Sequence, residues 1–208
     1  MLDRTRKLWE KQHGSVGDRR SLFGAVADAI DAEDVLYPGS YVDLTPSLIW
    51  PSVTYVDIDR RANQFFGDEA GVQELLIESG VERDLHEVRF VHSDYSHDLA
   101  LEEQSFDLLV SLYGGFISEH CTEYLRIGGF LMVNPSHGDA AMASIDPRYR
   151  LCGAIDSIGD RFAVETDDLD THLVPERDVD ITIESLHESG RAVKYTKSPF
   201  GYLFQRIR

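Results

Sequence analysis

Between residues 34 and 133 the chain alternates short apolar runs with stretches whose apolar positions recur at helical spacing. Asp34–Tyr37, Val53–Val56, Val88–His92, Phe106–Ser111 and Phe130–Val133 read as strands. Phe106–Ser111 is apolar almost throughout, as expected of a central strand covered on both faces. Between the strands, Asp59 stands as N-cap to a helix through Arg60–Phe66, and a further helix over Ala70–Ser79 stops at Gly80. A helix through Ser118–Leu125 precedes the last strand, and Thr45–Trp50 is a short helix or irregular segment cut by Pro51. This alternation predicts an α/β fold: a doubly wound, mostly parallel sheet of about seven strands.

Residues 1–31 read as an N-terminal helical extension. Leu8-Trp9 begins one piece, Ser21 caps a second through Ile30, and the Gly14–Gly17 region divides them. Beyond residue 139 the periodicity loosens. Residues 179–189 fit neither the helical nor the strand period, whereas Ala192–Lys197 and Gly201–Ile207, parted by Ser198-Pro199, read as a terminal β-hairpin.

At 208 residues the chain suits a single domain with a sizeable core: an extension (1–31), a cofactor-binding core (32–139) and a C-terminal part (140–208). A formal charge of −17 opposes a polyanionic partner, so nucleic acid is not expected. No apolar run is long enough to cross a membrane, and the polar N-terminus leads into no secretory h-region. Cys121 and Cys152 form neither a disulfide framework nor a metal-ligand spacing. A cytoplasmic protein is expected.

The chemistry concentrates at strand ends. Val35–Tyr37 breaks into Pro38-Gly39, and the next strand ends in Asp57-Ile58-Asp59. A backbone turn after one strand and a carboxylate at the tip of the next suit a nucleoside, whose ribose presents two hydroxyl donors. Asp59 is explained by its capping duty, so Asp57 is the better candidate for a ribose acid, although a strand-end Asp can also be a plain loop residue. A pyrophosphate would want a Gly-x-Gly-x-x-Gly turn and would be repelled by Asp43, so a cofactor without phosphate fits better. His92, Asp94, His97 and Asp98 lack the further ligands of a metal site, and none is expected. His120 and His137, the latter with Asp139, are candidate acids or bases. Gly-x-Ser-x-Gly is absent, which argues against a Ser-His-Asp hydrolase.

Phe106-Asp107-Leu108-Leu109-Val110-Ser111, followed by Leu125-Arg126-Ile127-Gly128-Gly129-Phe130-Leu131, resembles the signature of the class I S-adenosylmethionine-dependent methyltransferases. The resemblance covers roughly residues 20–208. It implies S-adenosylmethionine as cofactor, with Asp57 on the ribose and Asp94, beside Tyr95, on the adenine amine. Gly39, Tyr41 and Ile58 would help to hold that cofactor, and Ser111–Tyr113 would floor the pocket. The family's first motif is acid-x-Gly-x-Gly-x-Gly, and this chain departs from it. Here Tyr37 stands for the acid, Gly39 alone is kept, and Tyr41 and Asp43 occupy later glycine positions. Asp43 would then offer the carboxylate for the cofactor's ammonium that Tyr37 does not. The implied function is methyl transfer to a small or non-polyanionic acceptor. The alternative is an inactive methyltransferase-like module for nucleotide sensing or protein interaction.

Overall fold

The computed structural model describes residues 2–16, 19–82, 86–159 and 161–208. In chain order its elements begin with α1 (Asp3–Val16), α2 (Arg20–Ala29), β1 (Asp34–Pro38), β2 (Ser52–Val56), α3 (Arg60–Phe66), α4 (Glu69–Glu78) and β3 (Glu87–Val91). Then follow β4 (Phe106–Ser111), α5 (Ile117–Cys121), β5 (Leu125–Val133), α6 (Asp139–Ile145), β6 (Tyr149–Ile158), β7 (Arg161–Glu165), α7 (Ile183–Ser189) and β8 (Gly201–Arg206).

The strands form one sheet in the order β3-β2-β1-β4-β5-β8-β6-β7. The first five in this order are parallel; β8 runs antiparallel to both β5 and β6, and β7 antiparallel to β6. The strand order reverses between β1 and β4, since the chain goes from β1 outward to β2 and β3 and then returns to β4. A crevice must open at the carboxyl ends of strands at such a switch point, because their exit loops diverge.

Two cores cover the two faces. On one, Phe23, Tyr37, Tyr55, Phe65 and Leu108 join α1–α4 to the sheet; on the other, Leu109, Leu131, Tyr202, Ala140 and Ala143 join α5–α7. Burying an aromatic or Leu side chain of this kind contributes about 1.5–3 kcal/mol. The first face carries an aromatic stack in which Tyr55 lies 4.7 Å from Phe66, and Phe66 lies 4.7 Å from Phe90.

Several sequence expectations need correction. Ser21 lies in the first turn of α2 rather than at its N-cap, which is Arg19; its hydroxyl instead accepts from the Phe162 amide on β7 at 3.3 Å. The proposed divide at Gly14–Gly17 reaches beyond the described residues at Gly17. Residues 45–48 form one 3-10 turn, so the β1–β2 crossover has no α-helix, and α2 packs beside that turn. The sheet has eight strands, in keeping with the expected number of about seven. The C-terminal hairpin exists, but β6 and β7 build it. Residues 192–197 supply a single bridge, Tyr195 to Pro175, while β8 is inserted between β5 and β6. Turn chemistry alone favoured pairing of neighbours; burial of β8 between two strands satisfies its backbone on both edges and prevails.

Candidate functional site at the switch point

Gly39 leaves β1 with φ +66, a conformation that costs an L side chain, and its amide donates to the Val56 carbonyl at 2.8 Å. A Cβ on Gly39 would stand 3.2 Å from the Gly114 Cα, so the exit loops of β1 and β4 touch. The β3 exit joins them, since the Tyr95 hydroxyl donates to the Gly114 carbonyl at 2.7 Å. Three strand-end loops are thereby fixed to one another.

On the β2–β3 side stands a group of strand-end side chains. Asp57 accepts the Tyr41 amide on Oδ2 and the Asp59 amide on Oδ1, both at 2.7 Å. Each carboxylate oxygen keeps a second lone pair, and the carboxylate is aimed by backbone on both sides. Ile58 beside it is 66% exposed, an apolar side chain with no core duty. Asp94 binds the Ser96 amide and hydroxyl through Oδ1 at 2.9 and 2.8 Å, and Oδ2 has no partner among the described residues. Those bonds hold the Asp94 carboxyl below the usual carboxylate range, so it stays ionised and accepting. His92 docks the two strand ends, its Nε2 lying 3.1 Å from the Ile58 carbonyl oxygen.

On the β1–β4 side a cavity of about 590 Å³ opens between the sheet edge and the N-terminal helices. Its walls include Arg19, Tyr37, Tyr41, Tyr113, Phe162 and Phe200, with Gln12 and Leu22 contributed by the N-terminal helices. The size falls in the range of small-ligand pockets, about 300–1,000 Å³. Tyr113 takes φ +61 at the mouth, where the Asn134 side-chain carbonyl accepts its amide at 3.3 Å.

Asp43 stands apart from this opening. It is 1% exposed, and its Oδ2 accepts from Arg19 at 2.7 Å and from the Tyr37 hydroxyl at 3.4 Å. Its Oδ1 accepts from the amide and the hydroxyl of Thr45 at 3.1 and 2.6 Å. A carboxylate so buried and so fully bonded is not available to a ligand's ammonium. Burial and the adjoining Asp43 charge push the Tyr37 phenol far above its ordinary range, keeping it a neutral donor.

Ser111 is likewise engaged. It is 1% exposed and donates to Asp139 at the start of α6, so Leu112 and Tyr113, not Ser111, line the cavity. Asp139 also receives the Ser118 amide and hydroxyl, at 3.1 and 2.5 Å. Burial raises its pKa to about 6 against the pull of those hydrogen bonds. This cluster ties β4, α5 and α6 together and turns Asp139 away from His137, which is exposed at φ +59. His120 lies on α5 with its ring 5.9 Å from Tyr95.

Sequence reasoning missed Arg19, Gln12, Phe162 and Phe200. The nearest signal was the Tyr37–Asp43 substitution pattern: an acid carried into a buried turn calls for a cation elsewhere in the chain.

No family model matches the chain, and no curated protein matches it. Solved structures do. A SAM-dependent methyltransferase from Thermotoga maritima, described as a possible histamine N-methyltransferase, aligns over 98% of both chains at 10% identity with TM-score 0.50. An rRNA methylase from Streptococcus thermophilus aligns over 90% of this chain and 95% of its own at 12% identity and TM-score 0.47. The YcgJ protein from Bacillus subtilis shares 18% identity over 53% of this chain at TM-score 0.40, and this chain spans only 48% of its length. The chain therefore has the Rossmann-like fold of the class I methyltransferases, with β7 added at the sheet edge.

Proposed function

We propose that the chain is an S-adenosylmethionine-dependent methyltransferase acting on a small, non-polyanionic acceptor. The observation that carries this reading is the pairing, at one switch point, of a nucleoside-type ligand set with a half-open cavity. Asp57, Ile58 and Asp94 offer a ribose acceptor, an apolar surface and an adenine-amine acceptor; the 590 Å³ cavity lies across the Gly39–Tyr41 turn. Gly39, Tyr41, Asp57, Ile58, Asp94 and Tyr95 are the residues that would hold the cofactor, with Tyr113 at the cavity mouth. When bound, the sulfonium supplies an electrophilic methyl group. The protein's share is to fix the two partners in line and exclude water, which needs no nucleophile of its own. The Gly39–Gly114 contact holds the two exit loops together beside the cavity.

A net charge of −17, with 37 acidic against 20 basic residues, is in keeping with a small acceptor rather than a polyanion. The close approach of Gly39 to Gly114 favours a second reading, a fold retained for binding alone. Calorimetric titration with S-adenosylhomocysteine separates the two. Micromolar binding that Asp57→Ala weakens at least tenfold is expected; absence of heat, together with no shift in Tm, would remove the cofactor reading.

A further inference from the structure

The cavity beside the Gly39 turn is electrostatically out of character with the protein around it. The chain carries 37 acidic and 20 basic residues, yet among the described residues the one charged side chain lining the cavity is Arg19. Arg19 is itself only 11% exposed. Its hydrogen bonds with described residues use Nη1, 2.7 Å to Asp43 and 3.1 Å to the Tyr37 hydroxyl. Nε and Nη2 make no hydrogen bond with any described residue. Asp43, the counter-charge, stands behind the guanidinium at 1% exposure with both oxygens occupied. A ligand in the cavity therefore meets the Arg19 guanidinium, whose Nε and Nη2 have no partner among the described residues, and not the carboxylate. A desolvated guanidinium with free coplanar donors selects a carboxylate held by paired hydrogen bonds.

The remaining walls choose the body of that ligand. Phe162 and Phe200 meet edge to face, with centroids 5.1 Å apart, and the Tyr113 ring lies 5.6 Å from the Arg19 guanidinium carbon. Tyr41 and Leu112 also line the cavity, and its aromatic side chains reward a ring more than a flexible chain. We infer that this cavity is the acceptor pocket and that it takes a planar aromatic carboxylate, its anionic group on Arg19 and its ring between Tyr113 and the Phe162–Phe200 pair. The assignment as acceptor rests on the methyltransferase reading; the affinity for an aromatic carboxylate does not.

The test is ligand-observed NMR and calorimetry on the full chain with 4-hydroxybenzoate and 2-naphthoate, beside benzamide and benzylamine. Each is run with and without saturating S-adenosylhomocysteine. Carboxylates binding at least tenfold more tightly than the neutral and cationic probes, and undisturbed by S-adenosylhomocysteine, are the expected result. Arg19→Gln should abolish the preference while Phe200→Ala weakens all ring-bearing probes alike. The comparison of probes on the unaltered chain holds even if Arg19→Gln does not fold. Equal binding of carboxylate and amide would overturn the inference. So would displacement of the carboxylates by S-adenosylhomocysteine, since Arg19 would then hold the cofactor's own tail. If S-adenosylhomocysteine binds and the carboxylates do not, the inference fails and the methyltransferase reading stands. If the carboxylates bind and S-adenosylhomocysteine does not, the cavity keeps its ligand class and the methyltransferase reading fails.

Discussion

Asp139→Asn should erase a pH dependence of stability that the unaltered chain carries. Asp139 is fully enclosed, and burial raises its pKa from the ordinary 3.8 to about 6, although Ser111 and Ser118 donate to it. The sign follows from a folded pKa above the unfolded one. Below about pH 3 both states hold the proton and the folded state keeps its full advantage. As pH rises toward and through 6, the unfolded chain ionises freely while the folded chain must either hold the proton or bury a charge. Stability is therefore lost across this window and levels off above it. The shift, 6 − 3.8 = 2.2 units, amounts to about 3 kcal/mol at 1.36 kcal/mol per unit. Asparagine keeps one acceptor toward Ser118 and can donate toward the Ser111 hydroxyl, so it preserves the cluster without a titrating group. Urea unfolding of both proteins between about pH 3 and pH 8 reads the effect as a difference, which cancels the many surface carboxylates common to both. The variant should gain about 3 kcal/mol relative to the unaltered chain between those limits. A difference that stays constant across the range would refute the reasoning, showing that Asp139 does not titrate differently in the fold.

Two further substitutions test the crevice itself. Gly39→Ala places a side chain at φ +66 and a Cβ 3.2 Å from Gly114; a cost of about 1–2 kcal/mol is expected, read as a lower Tm with weaker S-adenosylhomocysteine binding. Asp43→Ala strips Arg19 and Thr45 of their shared partner inside the fold, for which about 3–5 kcal/mol is expected. A loss below 1 kcal/mol by urea titration would mean that Arg19 is solvated rather than paired.

The parallel strands were legible because each is a short apolar run at a spacing that only a covered sheet satisfies; β4 matched its sequence range residue for residue. The cap at Asp59 was legible because capping is local: its side chain accepts the Arg61 amide at 2.7 Å. Asp57, Ile58 and Asp94 were placed at strand ends by the same pattern, and the structure sets them at the carboxyl edge of β2 and beyond β3. Asp43 and Ser111 read as ligands because position in a motif says nothing about which neighbour reaches them first. Arg19, far along the chain, takes the one, and Asp139 takes the other.

The sequence by itself determined the alternation, the fold class and the strand-end acids, since those follow from local periodicity and from the chemistry of single residues. Only the tertiary structure decided that β8 threads between β5 and β6 and that α2 takes up the place beside a crossover with no helix of its own. It also decided that a cavity in a strongly acidic protein shows a ligand an arginine. Each of these depends on which distant segments meet. Burial then fixes the outcome, because a charge or a strand edge removed from water must be matched by whatever the fold brings to it.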